Sequence, residues 1–257
     1  IIMTTVLDKF DRDKHYFSSP YPHIIIENAL PQELYNELSK TFPNSEIKKK
    51  LPTIQGHTYR YLANDVLYKK TIPVSDKWQK FFEDHTSQNF YDKVLEIFNS
   101  DIPYTKQDIQ QKVGVRGFAD TNYDMVTDTQ FVVHQPTKGT TRTTHIDNPQ
   151  ELYAGLLYFK HDNDKSTGGD FEVYETGDVK QVWKLKGREI PEEQHKSLVK
   201  TITYQPNTLV MFLNTSKSVH GVTPRINADV DRLSINIIAE TNNKRNEFFK
   251  LFDTGLR

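Results

Sequence analysis

Residues 141–159, TRTTHIDNPQELYAGLLYF, set His145 and Asp147 one residue apart, immediately ahead of a β-prone apolar run. Residues two apart on an extended chain project to the same side, so the imidazole and the carboxylate point together while Ile146 faces away. Both side chains are ligands for a divalent metal. Alone, a His-x-Asp pair also describes an ordinary hydrogen-bonded surface pair, so its meaning depends on further donors.

A third donor follows in residues 204–224, YQPNTLVMFLNTSKSVHGVTP, which read as a turn, a strongly apolar strand, a second turn and then His220 beside Gly221. Enough strands lie between positions 145 and 220 to carry the chain back beside the first pair. Two imidazoles and one carboxylate on one face of an ion form the facial triad of non-haem Fe(II) oxygenases, which leaves positions open for a co-substrate and O₂. Arg232 comes next, in DRLSINIIAE. It shares a strand face with Ser234, while Leu233, Ile235 and Ile237 share the other, a face suited to packing against helices. A buried guanidinium is costly unless an anion pairs with it, and its forked donors match a carboxylate. The set therefore suits a dicarboxylate, with one end on the metal and the other at Arg232 and Ser234. The plainer reading pairs Arg232 with Asp229 or Asp231 at the surface.

The elements that must position these residues fall into a helical front and a strand-rich back. Residues 20–43 give a short β-branched run, Ile24 to Ile26, then a helix with Pro31 in its first turn and Leu34, Leu38 and Phe42 on one face. Residues 76–99 space Trp78, Phe81, Phe82, Phe90, Val94, Leu95 and Phe98 as one or two helices would. Residues 45–72 show little periodicity and read as loops with a short strand at most. Beyond about residue 105, short β-prone runs alternate with turn clusters: QFVVHQP, LYAGLLYF, GGDFEVYE, VKQVWKL, KTITYQPNTLVMFLN, SVHGVTP and RLSINIIAE. That pattern predicts a mainly β sandwich or barrel with the front helices packed on one sheet face. No Gly/Ser- or Pro-rich linker divides the chain. A single domain over 1–257 is expected, with helical support over 1–105, the β core over 106–243 and a tail over 244–257.

Composition limits the function classes. The 257 residues include no cysteine, which removes disulfides, thiolate zinc sites, iron–sulfur clusters and cysteine nucleophiles. Any metal must be held by nitrogen and oxygen. A formal net charge of −1 supplies no positive field for nucleic acid or an anionic membrane. With no apolar stretch near bilayer length and no cationic-then-apolar start, a soluble cytoplasmic protein is expected.

His145-x-Asp147, His220 and Arg232-x-Ser234 together resemble the metal and co-substrate motifs of the 2-oxoglutarate/Fe(II)-dependent oxygenases. PYPHIIIENALPQELYNEL is similar to the strand–helix start of the prolyl 4-hydroxylase-like branch, and the HIDNPQELYAGLLYF, STGGDFEVYE and PNTLVMFLNTSKSVHGVTPR series to its core. The resemblance spans roughly 20–240. It implies a double-stranded β-helix, a cupin-like jelly roll, with Fe(II) on His145, Asp147 and His220. It further implies 2-oxoglutarate chelating the iron and fixed at its far carboxylate by Arg232 and Ser234, with Tyr158 as a further donor. O₂ would then be consumed in hydroxylating an unactivated C–H bond of a small molecule, amino acid or peptidyl residue, releasing succinate and CO₂. Intact Asp147 argues against halogenation. Position 238 is Ile238, where the nucleic-acid demethylase branch has a second arginine, which disfavours DNA or RNA substrates. Prolyl hydroxylases often place a lysine where Arg232 stands, so the substrate does not transfer with the motif.

Secondary candidates are His134 and Gln135 as co-substrate neighbours, Arg142 facing an anion, and Asn214 fixing the turn before His220. Residues 161–170, HDNDKSTGGD, miss the calcium-loop spacing and read as a hairpin loop. Irregular segments at 45–72, 111–129 and 184–197 are expected to wall the site. Two other classes stay open at this point: a non-catalytic jelly-roll module that binds carbohydrate or metabolite, and an iron oxygenase that does not use 2-oxoglutarate. Oligomeric state is not legible.

Overall fold

A computed structural model describes residues 4–54, 56–102, 109, 112–118, 123–136, 142–176, 188–191, 194 and 196–242. The front of the chain carries a helical turn α1 (Arg12–His15), strands β1 (Tyr16–Phe17) and β2 (His23–Ile26), then helices α2 (Gln32–Lys40) and α3 (Asn44–Lys50). Strand β3 (Thr58–Leu62) and a π-helical turn (Asp65–Lys69) precede α4 (Asp76–His85) and α5 (Gln88–Ile97). Ser75 and Ser87 start these last two helices, each side-chain oxygen accepting from the backbone N–H three residues on, at Trp78 and Phe90. The back is β4 (Val113–Val115), β5 (Met125–His134), β6 (Glu151–Tyr158), β7 (Phe171–Thr176), β8 (Lys196–Ile202), β9 (Leu209–Leu213), β10 (His220–Val222) and β11 (Arg232–Thr241). The expected strand at VKQVWKL lies outside the described residues, as does the expected tail.

Two sheets face each other. The larger runs β1-β2-β9-β6-β11-β5-β3, antiparallel throughout, with β4 added parallel to β5; the smaller runs β10-β7-β8. Tyr158, Phe171, Val173, Tyr204, Phe212 and Ile238 fill the space between them. The long strands β5, β6 and β11 bury both faces, because the outer face of the large sheet is roofed by the helices. Trp78, Phe82, Phe131, Phe159, Leu233, Ile235 and Ile237 form that second, larger core. Trp78 anchors it: its ring centroid lies 4.6 Å from Phe131 and 5.3 Å from Phe159, and its Nε1–H donates to the Leu38 carbonyl at 3.2 Å. Helical periodicity on one side and strand alternation on the other thus meet in one apolar layer, giving the mainly β jelly roll with supporting helices.

Residues 45–72 are more ordered than their sequence implies. Ile47 supplies the apolar contact that seats α3, and β3 pairs along β5 from Thr58↔His134 to Leu62↔Gln130. Among the described residues no helix is long and apolar enough to cross a membrane.

Candidate active site

His145 lies on a one-residue rung rather than in a regular strand. Its N–H donates to the His220 carbonyl at 2.8 Å and the His220 N–H donates back at 3.0 Å, so the rung extends the small sheet past β10. On the other side, Ile146 N–H donates to Arg188 and Ile190 N–H to Thr144. Ile146, Ile190 and Val219 pack beneath, which turns Ile146 inward and leaves His145 and Asp147 on the opposite side. The same-face geometry expected of a strand is therefore reached with very little strand.

This rung brings His145, Asp147 and His220 together, one ligand atom from each within 4.8 Å of the others. His145 Nε2 is 3.5 Å from Asp147 Oδ1, and His220 Nε2 is 3.5 Å from Asp147 Oδ2. Each ring is oriented from behind: Nδ1 of His145 faces the Thr143 carbonyl at 2.7 Å and Nδ1 of His220 faces the Ser218 carbonyl at 2.8 Å. A carbonyl only accepts, so Nδ1 carries the proton and both Nε2 lone pairs point at the shared space. Burial pushes the His220 pKa down to about 3, keeping that ring neutral. For Asp147 burial alone would favour the acid, but the positive charge around it, with the Arg142 guanidinium at 3.3 Å, holds it well below the usual carboxylate range. Two imidazoles and one carboxylate, so arranged, can hold a divalent transition ion.

Arg232 is fully buried, its Nε donating to the Gly169 carbonyl at 3.0 Å and its guanidinium lying 5.0 Å from the Tyr158 ring and 4.8 Å from the Tyr204 ring. Its Nη2, the Ser234 hydroxyl and the Tyr158 hydroxyl are buried without a hydrogen-bond partner among the described residues. The strand register explains the grouping, since Ser234 pairs across with Tyr158 on one side and Val132 on the other. Three unsatisfied donors around one buried cation fit the distal carboxylate of a dicarboxylate. The surface pairing of Arg232 with Asp229 or Asp231 is not what forms: Asp231 pairs with Lys48 at 2.6 Å instead.

A cavity of about 250 Å³ joins the two halves of this arrangement, with His145, Asp147, His220, His134 and Arg232 in its wall. Ser234 and Tyr158 stand beside Arg232 without forming that wall. His134 faces Arg232 in the β11–β5 register and pairs through Nδ1 with Thr58 Oγ1 at 2.8 Å, whereas Gln135 lines a separate hollow beside Asn44 and Asp229. Arg142 reaches Asp147, Nη1 to Oδ1 at 3.3 Å. Asn214 does fix its turn: its amide donates to the carbonyls of Asn148 and Glu151 at 2.8 and 3.0 Å, tying the chain after Asp147 to the approach to His220.

Sequence reasoning missed Arg60, Arg188 and Glu151, all in the cavity wall. The first two come from segments expected to wall the site but offering no periodicity. Glu151 is hidden by a register shift: Ala239 pairs with Tyr153 and Glu240 with Glu151, skipping Leu152. Leu152 and Tyr153 consequently both enter the helix-side core, and Glu151 is turned to the cavity side that strand alternation would deny it.

Residues 129–239 match the family model described as the 2OG-Fe(II) oxygenase superfamily. This stretch, which holds all six candidate residues, belongs to that superfamily. It forms a 2-oxoglutarate/Fe(II)-dependent dioxygenase domain, whose cofactor set is Fe(II), 2-oxoglutarate and O₂. No curated protein matches the chain by sequence. Among solved structures the dioxygenase is similar to a Pseudomonas putida prolyl-4-hydroxylase at 13% identity, covering 91% of this chain and 96% of that one, with a TM-score of 0.45. It is similar to IDO from Bacillus thuringiensis at 14% identity, covering 86% and 90%, TM-score 0.48. A prolyl hydroxylase from Trichoplax adhaerens, in complex with a hypoxia inducible factor oxygen degradation domain peptide fragment, is similar at 12% identity, covering 85% and 83%, TM-score 0.47.

Proposed function

We propose that the dioxygenase hydroxylates an unactivated C–H bond of a small molecule, holding Fe(II) on His145, Asp147 and His220 and the distal carboxylate of 2-oxoglutarate on Arg232, Ser234 and Tyr158. Bound together, iron and 2-oxoglutarate supply the oxidising power, with succinate and CO₂ as by-products. The chain's own part is positional. Thr143 and Ser218 lock the imidazole tautomers, so the ligand nitrogens are aimed before the ion arrives. The Gly169 carbonyl and two aromatic rings set the guanidinium of Arg232 within the buried end of the jelly roll, away from water that would weaken its hold on an anion. Arg142 offsets the Asp147 charge from outside.

The observation that carries this reading is the unpartnered, buried Nη2 of Arg232 in the wall of the cavity that also holds the three clustered ligand atoms. Its test is an anaerobic titration of metal-free protein with Fe(II) and then 2-oxoglutarate, followed by the visible charge-transfer band of a chelated keto acid. We expect a band in the wild-type protein that is lost in His220→Ala and weakened in Arg232→Ala. Wild-type protein without the band would overturn the assignment.

A further inference from the structure

The cavity wall contains more charge than iron and 2-oxoglutarate need. Arg116 is satisfied within the protein, its Nε 2.8 Å from Glu240 and its Nη1 3.5 Å from Asp128. Arg142 is committed to Asp147 and Arg232 to the proposed co-substrate carboxylate. Arg60 and Arg188 differ: the first donates only to the neutral Gln130 side-chain oxygen at 3.2 Å, the second through Nε to the Ile146 carbonyl at 3.4 Å. Neither has a carboxylate partner among the described residues, yet both face the cavity of the metal cluster and the wider vestibule of about 1170 Å³ outside it. Facing them in the same cavity is Glu151, whose carboxylate accepts no hydrogen bond and forms no ion pair among the described residues. Burial, Asp147 and Glu240 push its pKa up to about 8, against the smaller opposing pull of the Arg60 and Arg116 charges.

Among the described residues neither Arg60 nor Arg188 has a carboxylate, and Glu151 has no cation, at ion-pair distance, yet all three open on one cavity, which suits a ligand that carries both charges. We infer that the primary substrate is a small zwitterion, a free α-amino acid, with its carboxylate on Arg60 and Arg188 and its ammonium on Glu151. This rests on the proposed function for the place of the reaction and deepens it by naming the substrate class. A free amino acid satisfies the wall in a way that a neutral sugar or an internal peptide residue does not, since an internal residue has neither terminal charge.

The experiment uses protein loaded anaerobically with Fe(II) and 2-oxoglutarate and titrated calorimetrically with the common L-amino acids, the N-acetyl derivatives that lack the ammonium, and the amides that lack the carboxylate. We expect at least one free amino acid to bind, with its N-acetyl and amide forms each about tenfold weaker or worse. Arg60→Gln and Arg188→Gln should each weaken the free acid about tenfold and narrow its advantage over the amide. Glu151→Gln should erase its advantage over the N-acetyl form. Melting temperatures near wild type show that each variant is folded. No free amino acid bound by protein that shows the charge-transfer band, or binding within twofold of wild type in all three variants, overturns the inference. A missing band with amino-acid binding intact fails the iron and 2-oxoglutarate assignment while supporting this pocket, so the two failures read differently.

Discussion

At the scale of residues, the site depends on polar groups left unsatisfied by the fold. Arg232 is the extreme case, a fully buried cation with one fixed hydrogen bond, two aromatic neighbours and an unpartnered Nη2. Removing the guanidinium should cost 2-oxoglutarate binding on the order of 2–5 kcal/mol, as for truncation of one partner of a buried charge pair. Tyr158→Phe and Ser234→Ala remove neutral donors and should cost about 1 kcal/mol each, a several-fold rise in the 2-oxoglutarate dissociation constant. Their buried hydroxyls have no partner to lose within the protein, so neither change should lower the melting temperature by more than a degree or two. Calorimetry of 2-oxoglutarate binding beside a thermal melt separates the possibilities: a lower melting temperature with unchanged affinity would assign the hydroxyls to packing alone.

Among the elements, the loop before β7 has a task that its composition conceals. Gly168 and Gly169 both adopt positive φ, +77° and +75°, and the Gly169 carbonyl in that turn is what holds Arg232 Nε. A Cβ on Gly168 would stand 2.0 Å from the Pro224 carbonyl oxygen, a backbone atom that cannot step aside. Gly168→Ala should therefore destabilise the protein by about 3 kcal/mol or more and loosen 2-oxoglutarate with it. Gly155→Ala is the contrast, since its Cβ would meet the mobile end of Met211 at 2.8 Å, and a much smaller loss is expected in the same melting assay. Equal losses would refute the argument from backbone against side-chain obstruction. The STGGD run reads as a hairpin loop from its sequence; it is a loop, but one that crosses from β6 of the large sheet to β7 of the small one, and its grip on Arg232 is a tertiary contact across 63 residues. The same divide holds elsewhere. His145, Asp147, His220 and Arg232 were legible because their types and spacing are unusual, and β5, β6, β9 and β11 because their apolar runs are long. Glu151 was not legible because a bulge reverses strand parity, nor Arg60 and Arg188 because an arginine in an irregular segment looks like any solvated one.

For the molecule as a whole, the helices and the jelly roll share one apolar layer, and the polar groups caught at its margin tie stability to pH. Asp128 of β5 is fully buried; it accepts from the Ala63 N–H at 3.0 Å and the Gln130 amide at 2.7 Å, with Arg116 at 3.5 Å. Burial still outweighs these contacts, with Glu240 adding to it, and raises the pKa from 3.8 to about 6. The folded state therefore binds this proton more tightly than the unfolded chain. Below about pH 4 both states are protonated and the group is neutral to stability. As pH rises towards 6 the unfolded state ionises freely while the folded one resists, so stability falls; above 6 the loss is complete, about 3 kcal/mol from a shift of this size. Asp128→Asn cannot ionise. Its own rearranged hydrogen bonds shift stability by a pH-independent amount, but the variant minus wild-type difference should climb by up to about 3 kcal/mol between pH 4 and 6.5 and then level off. Urea unfolding of both proteins across that range measures it, and because Glu240 and the other titrating groups are present in both, a flat difference would show that Asp128 keeps an ordinary carboxylate pKa inside the fold.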